Sequence, residues 1–167
     1  MQRTTRPAPR SGLSLIEVVI STLLVGLVIV GALKAVGAIT RGQMLAGDQG
    51  MAENLADQLL AEILAMDYIE STETPVFGTE ASESSTVRTN WDDVDDFHLW
   101  NASPPQHSYG VALPNTDGWQ RDVIVEWVNP DDPSQTVVSD QGLKRITVTV
   151  LRNGEVLARA AALRSDQ

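Results

Sequence analysis

The strongest hydrophobic feature of the chain lies near its start. From Val18 to Leu33 there are 16 consecutive uncharged residues, bounded by Glu17 and Lys34, and apolar character resumes after Lys34 as far as about Ile39. About 20 such residues in a helix rise ~30 Å, enough to cross the core of a bilayer. A segment that enters lipid must be helical, because its backbone groups find no water there. Gly26, Gly31 and Gly37 inside the run are ordinary for membrane helices.

After Gly50 the pattern turns amphipathic. Met51, Leu55, Leu59, Ile63 and Met66 recur at helical spacing, Leu60 and Leu64 widen the stripe, and Glu53, Asp57 and Glu62 lie mostly off it. This predicts a helix with one buried face, continuing the apolar one and ending near residue 69. Gly42, Gly47 and Gly50 mark a possible weak point between the halves. Residues 70–90 are rich in Ser, Thr, Glu and Gly and read as an exposed connector. Alternation returns at Arg121–Asn129 (Val123, Val125, Trp127) and at Lys144–Arg152 (Ile146, Val148, Val150), which predicts two strands. Pro130-Asp131-Asp132-Pro133 reads as the loop after the first of them. Asn153-Gly154 is a dipeptide favoured in two-residue hairpin turns, with Val156–Leu163 as the returning arm despite its alanines. One long helix followed by at least three antiparallel strands is an α+β arrangement, with the globular part at 70–167.

Charge narrows the functional classes. The chain carries 12 basic and 22 acidic residues, and three of the basic ones, Arg3, Arg6 and Arg10, precede the apolar run. Beyond them 9 basic residues face 22 acidic ones, a net of −13. Such a surface repels phosphate backbones, so no nucleic-acid partner is expected. The basic start and acidic remainder orient the N-terminus toward the cytoplasm. With no cysteine, disulfides, zinc–thiolate sites and cysteine nucleophiles are excluded.

Three readings compete for the N-terminal segment. A secretory signal peptide would end in a small-residue cleavage site, but Lys34 and further helix-like sequence follow. A permanent membrane anchor fits the hydropathy but gives no reason for Glu17, a carboxylate that costs several kcal/mol in lipid unless partnered. The third reading explains it. Gly12-Leu13-Ser14-Leu15-Ile16-Glu17-Val18 resembles the processing motif of type IV prepilins, in which a glycine precedes an apolar residue and a glutamate lies four positions further on. The resemblance implies a leader at 1–12, cleaved by prepilin peptidase between Gly12 and Leu13. Leu13 is then N-methylated, residues 13–39 form a membrane-spanning and filament-core helix, and 40–69 its amphipathic continuation. It also implies that Glu17 pairs with the terminal amine of a neighbouring subunit. Leu13 departs from the more usual phenylalanine, which the family tolerates.

Two further stretches narrow the resemblance. Trp91-Asp92-Asp93-Val94-Asp95-Asp96-Phe97 is similar to a motif of MshD-like minor pilins of mannose-sensitive haemagglutinin pili. Asn54–Leu64 and Leu143–Val150 are also similar to segments of that group. The implied function is a minor structural subunit assembled into a pilus, or initiating one, at the inner membrane and then in the periplasm or at the cell surface. Its implied partners are other pilin subunits, the prepilin peptidase, the inner-membrane assembly platform and the lipid bilayer. A pseudopilin of type II secretion fits the same processing motif. A membrane-anchored extracytoplasmic binding module fits the hydropathy alone.

Candidate chemistry beyond the helix is sparse. Asp92, Asp93, Asp95 and Asp96 form the one dense carboxylate cluster, read first as a solvated, turn-forming loop with Val94 inward. Hard oxygen ligands make calcium the ion such a cluster would take, although the glycine and distal glutamate of an EF-hand loop are missing. His98 and His107 are the only histidines and read as surface or loop side chains. No serine elbow or phosphate-binding glycine loop occurs, so neither an enzyme nor an organic cofactor is expected.

Overall fold

A computed structural model describes Gly12, residues 14–69, 76–80, 83, 84 and 86–166. Most of the expected leader, Leu13, and residues 70–75 of the expected connector lie outside the described residues. The elements in order are helix α1 (Leu15–Leu64), two single 3-10 turns (Arg88–Asn90 and Asp95–Phe97), and strands β1 (Asn101–Ala102), β2 (Trp119–Asn129), β3 (Asp132–Thr136), β4 (Leu143–Arg152) and β5 (Glu155–Ser165). Helical structure runs through Gly42, Gly47 and Gly50 without a break, and ends at Leu64, before the predicted boundary. The chain divides into two compact units, one up to Leu45 and one from Ala46 onward.

In the first unit the apolar side chains of α1 are exposed, from Leu15 to Leu45. This is the one helix among the described residues long and apolar enough to cross a membrane. Its two threonine hydroxyls are satisfied within the helix: Thr22 Oγ1 donates to the Val18 carbonyl at 2.8 Å and Thr40 Oγ1 to that of Val36 at 3.0 Å. Such back-bonding removes the desolvation cost of a hydroxyl in an apolar setting.

The second unit has an α+β architecture. Its sheet is antiparallel, in the order β1-β2-β4-β5, with β3 paired to the end of β2. Ala52, Leu55, Ala56, Leu59 and Ile63 form the buried stripe of α1. They pack against the inward residues of the sheet, Val123, Val125, Ile146, Val148 and Val150, together with Trp91, Phe97, Trp100 and Trp119. The two ends of this contact are tied. Asp48 pairs with Arg152, and Arg164 Nη2 donates to the Met66 carbonyl at 3.2 Å. Arg164 is the register partner of Lys144, so the two ties lie at opposite ends of β4. Eighteen residues of helix rise ~27 Å, and eight steps of strand rise about the same. The helix therefore matches β4 in length and runs antiparallel to it.

The Ala-rich arm is a full strand. Ala158, Ala160 and Ala162 stand opposite Val150, Val148 and Ile146. Cross-strand packing on these β-branched residues offsets the weak intrinsic strand preference of alanine. The turn before it has Asn153 at φ 51° and Gly154 at φ 84°, two left-handed residues as a type I′ hairpin requires. One loop expectation is corrected. β3 begins at Asp132, so Pro133 lies within a strand and only Pro130-Asp131 forms the turn. Proline is tolerated there because β3 is an edge strand, matched to β2 only at Val128↔Thr136 and Asn129↔Asp132.

Leu59 is 0% exposed in this contact, whereas Leu45 is 71% exposed. Leu59→Ala is expected to destabilise the second unit by about 3 kcal/mol, and Leu45→Ala to leave its stability unchanged. All four tryptophans lie in the second unit, so tryptophan fluorescence during thermal unfolding in detergent checks both variants.

Candidate functional site

The N-terminal motif residues that can be described are Gly12, which is exposed, and Glu17, in the first turn of α1. The Ser14 carbonyl starts the helix by accepting from Glu17 N at 3.0 Å and Val18 N at 3.2 Å. A carboxylate in the first turn interacts favourably with the positive end of the helix dipole. Glu17 has no ion-pair partner among the described residues and stands on the exposed apolar helix.

The acidic loop differs from its expected solvated form. Val94 is fully buried as expected, but so are Asp93, Asp95 and Asp96, and only Asp92 faces solvent. Two of the buried carboxylates, Asp93 and Asp96, close the loop. Asp93 Oδ1 accepts from Asp95 N at 2.8 Å and Asp96 N at 3.3 Å; Asp96 Oδ2 accepts from Asp92 N at 3.1 Å and Asp93 N at 3.2 Å. Asp95 forms a buried ion pair with Lys144 and accepts from Gly78 N at 3.2 Å. Backbone bonds fasten the loop to the end of α1, with Asp67 N donating to the Asp92 carbonyl at 3.2 Å and Val94 N to that of Asp67 at 3.0 Å. A turn with this many unpaired N–H groups needs acceptors, and short acidic side chains supply them locally.

Burial shapes the electrostatics of the cluster. It pushes the Asp93 carboxyl up to about 7, with the Asp95 charge adding to the rise. Burial also raises Asp96, and raises Glu83 to about 8. The four aspartates do not form the metal-ligand set the sequence offered. Of the four, Asp96 alone joins a carboxylate group, with Glu80 and Glu83, whose oxygens lie within 4.8 Å of one another. Three carboxylate oxygens at that spacing suit a hard cation such as calcium.

Three buried cations went unrecognised in the sequence. Lys144 Nζ reaches Asp95 and the Tyr68 carbonyl, and lies 4.3 Å from the Tyr68 ring centroid. The Arg88 guanidinium donates to both Glu62 oxygens, at 3.1 and 3.2 Å, and lies 4.2 Å from the Trp100 ring centroid. Arg121 reaches the Gln106 carbonyl, and burial followed by the nearby Arg88 charge pulls its pKa down to about 10. A signal for two of them existed. Lys144 is in phase with Ile146, Val148 and Val150, and Arg121 with Val123 and Val125, so period-2 alternation already places both inward. Arg88 had no such signal, lying in the stretch read as an exposed connector. His98 meets Phe77 edge-on at 5.0 Å between ring centroids, and His107 stacks on Tyr109 at 5.0 Å. The arrangement is one of structural polar contacts, with a cleft of about 360 Å³ beside Phe77, Asp95, Trp127 and Lys144.

Lys144→Met leaves Asp95 buried without its cation and is expected to cost about 3–5 kcal/mol, much of it recovered when Asp95→Asn is added; a double-mutant cycle measures this. Asp93 and Glu83 have raised folded-state pKa values. Their stabilising contribution is complete below the ordinary carboxylate range and is lost as pH rises through about 7 to 8. Thermal midpoints should therefore fall as pH rises from about 4 to about 8, and Asp93→Asn should reduce that slope below about pH 7. The chain matches no protein-family model, no curated protein and no solved structure.

Proposed function

We propose that this chain is a structural subunit of a type IV pilus-like filament, of the minor-pilin kind. The observation that carries the reading is Glu17 in the first turn of an exposed apolar helix, immediately downstream of Gly12. A tether needs length and hydropathy; it does not need a carboxylate at that depth. A helical bundle does have a use for one, because in a low-dielectric core a charge is favourable only against its opposite, and such a pair fixes axial register.

On this reading the chain enters the inner membrane with its N-terminus in the cytoplasm and is cleaved between Gly12 and Leu13. Leu13 is methylated, and the chain is then drawn from the bilayer into the filament. The apolar side chains exchange lipid for the side chains of neighbouring helices. Glu17 receives the terminal amine of a neighbour. The second unit folds around its own stripe of α1.

N-terminal sequencing and intact mass of the protein, extracted from cells that carry the matching peptidase, test the proposal. A chain beginning at Leu13 with the mass of one added methyl group is the expected result. A chain that retains residues 1–12 in those cells overturns it and leaves a permanently tethered extracytoplasmic domain.

A further inference from the structure

β5 ends the strand order of the sheet, and among the described residues no strand pairs with its outer edge. From Ala158 to Ser165 its pairing with β4 runs without a register shift. The N–H and C=O groups of alternate residues therefore point away from the sheet in a regular row. Proteins blunt such edges with short strands, proline or inward charges. The rest of this sheet follows that rule: β1 is two residues long, and β3 is five residues long with Asp132 and Pro133 inside it. β5 does not. It has eleven residues and no proline, and the positions that face the helix at 158, 160 and 162 are all alanine.

The space beside this edge is apolar. Glu62 turns to the β1 side of α1, where Arg88 meets it next to Trp100. Leu60 and Leu64 each lie two positions from Glu62, roughly 200° around the helix, and so flank the β5 side. Both are half-buried against the core, as is Ala160. From the Asp48–Arg152 pair, Leu60 lies ~18 Å along the helix, about five strand steps, level with Thr147 and its register partner Ala161. The short alanine side chains leave part of both leucines open on that side. On the outer face of the sheet Arg159 is exposed, with no ion-pair partner among the described residues.

A second copy of β5 does not suit this edge. Two-fold pairing centred on Ala160 sets alanine against alanine and leaves the leucines open, and it brings both Arg159 side chains together on one face. We propose that β5 is a docking edge for an extended segment of a different protein, apolar at alternate positions and acidic between them. The segment adds to the sheet as a further strand, its backbone bonded to the free row of β5. Its apolar side chains cover Ala160, Ala162, Leu60 and Leu64, and an acidic side chain meets Arg159. The edge lies wholly within the second unit, so its docking does not depend on cleavage at Gly12 or on assembly through α1.

The probe is a synthetic peptide of about ten residues in which valine alternates with threonine and glutamate, titrated into the full-length chain in detergent and followed by hydrogen exchange. Binding should slow exchange of the outward amides between Ala158 and Leu163 by about tenfold or more and leave those of β2 unchanged. The same composition with its valines contiguous should give no protection. Lysine in place of glutamate should weaken binding by about threefold or more, and Arg159→Glu should reverse that preference. Ala160→Lys, an inward charge, should abolish binding of both peptides; tryptophan fluorescence shows whether this variant is folded, and if it is not, Arg159→Glu decides. No protection at millimolar peptide, equal protection by the contiguous peptide, or a preference unchanged by Arg159→Glu overturns the proposal. Dimerisation through β5 without peptide overturns the choice of a different protein as occupant.

Discussion

Everything in the second unit depends on one contact, the burial of the Ala52–Ile63 stripe of α1 against the valines and isoleucine of β2 and β4. A sheet of this size with a single covering helix has few other apolar side chains to bury. The helix covers β4 end to end, held by Asp48 to Arg152 at one end and by Arg164 to the Met66 carbonyl at the other. Alanines at 52 and 56 allow close approach, while Leu55, Leu59 and Ile63 fill the space between. With no disulfide available, this contact and the aromatic cluster of Trp91, Phe97 and Trp100 provide most of the cohesion.

The buried charges follow from the same geometry. Where α1 ends, its last carbonyls and the loop behind them need donors, and an acidic loop needs a cation. Lys144 meets both needs by bonding the Tyr68 carbonyl and Asp95 together. Arg88 plays a similar role in the last turn of α1 by reaching Glu62 from a segment distant in sequence. These are expensive groups to desolvate, and their value lies in fixing one arrangement of loop, helix and sheet. On the outer face of the sheet, Glu126 and Arg145 stand opposite each other in register and pair at 2.7 Å.

The first unit has the opposite character. Between Leu15 and Leu45 its apolar side chains are exposed, and Glu17, Lys34 and Arg41 have no ion-pair partner among the described residues. Within the second unit, buried Lys144 and Arg88 pair with Asp95 and Glu62. On the proposed function the surroundings of the first unit's helix supply partners to its charges, first as lipid and headgroups and then as neighbouring helices.

The sequence by itself determined the two-part helix, the strands at 119–129 and 143–152, and the hairpin at Asn153-Gly154, because each rests on a local period or a local backbone requirement. It also determined the candidate residues Gly12 and Glu17, since a motif within seven positions needs no tertiary information. Tertiary structure decided the fate of the acidic loop. Alternation at residues 92–96 predicted solvated carboxylates, but whether an aspartate faces water depends on where the end of α1 and Lys144 lie, fifty residues further on in the second case. The same is true of Arg88, whose buried partner Glu62 precedes it by 26 residues. Pro133 entered a strand for a related reason: a proline is excluded from the middle of a sheet but not from its edge, and only the strand order reveals which strand is the edge. Local periodicity fixes which face of an element is apolar; the assembled packing fixes which polar groups are buried with it.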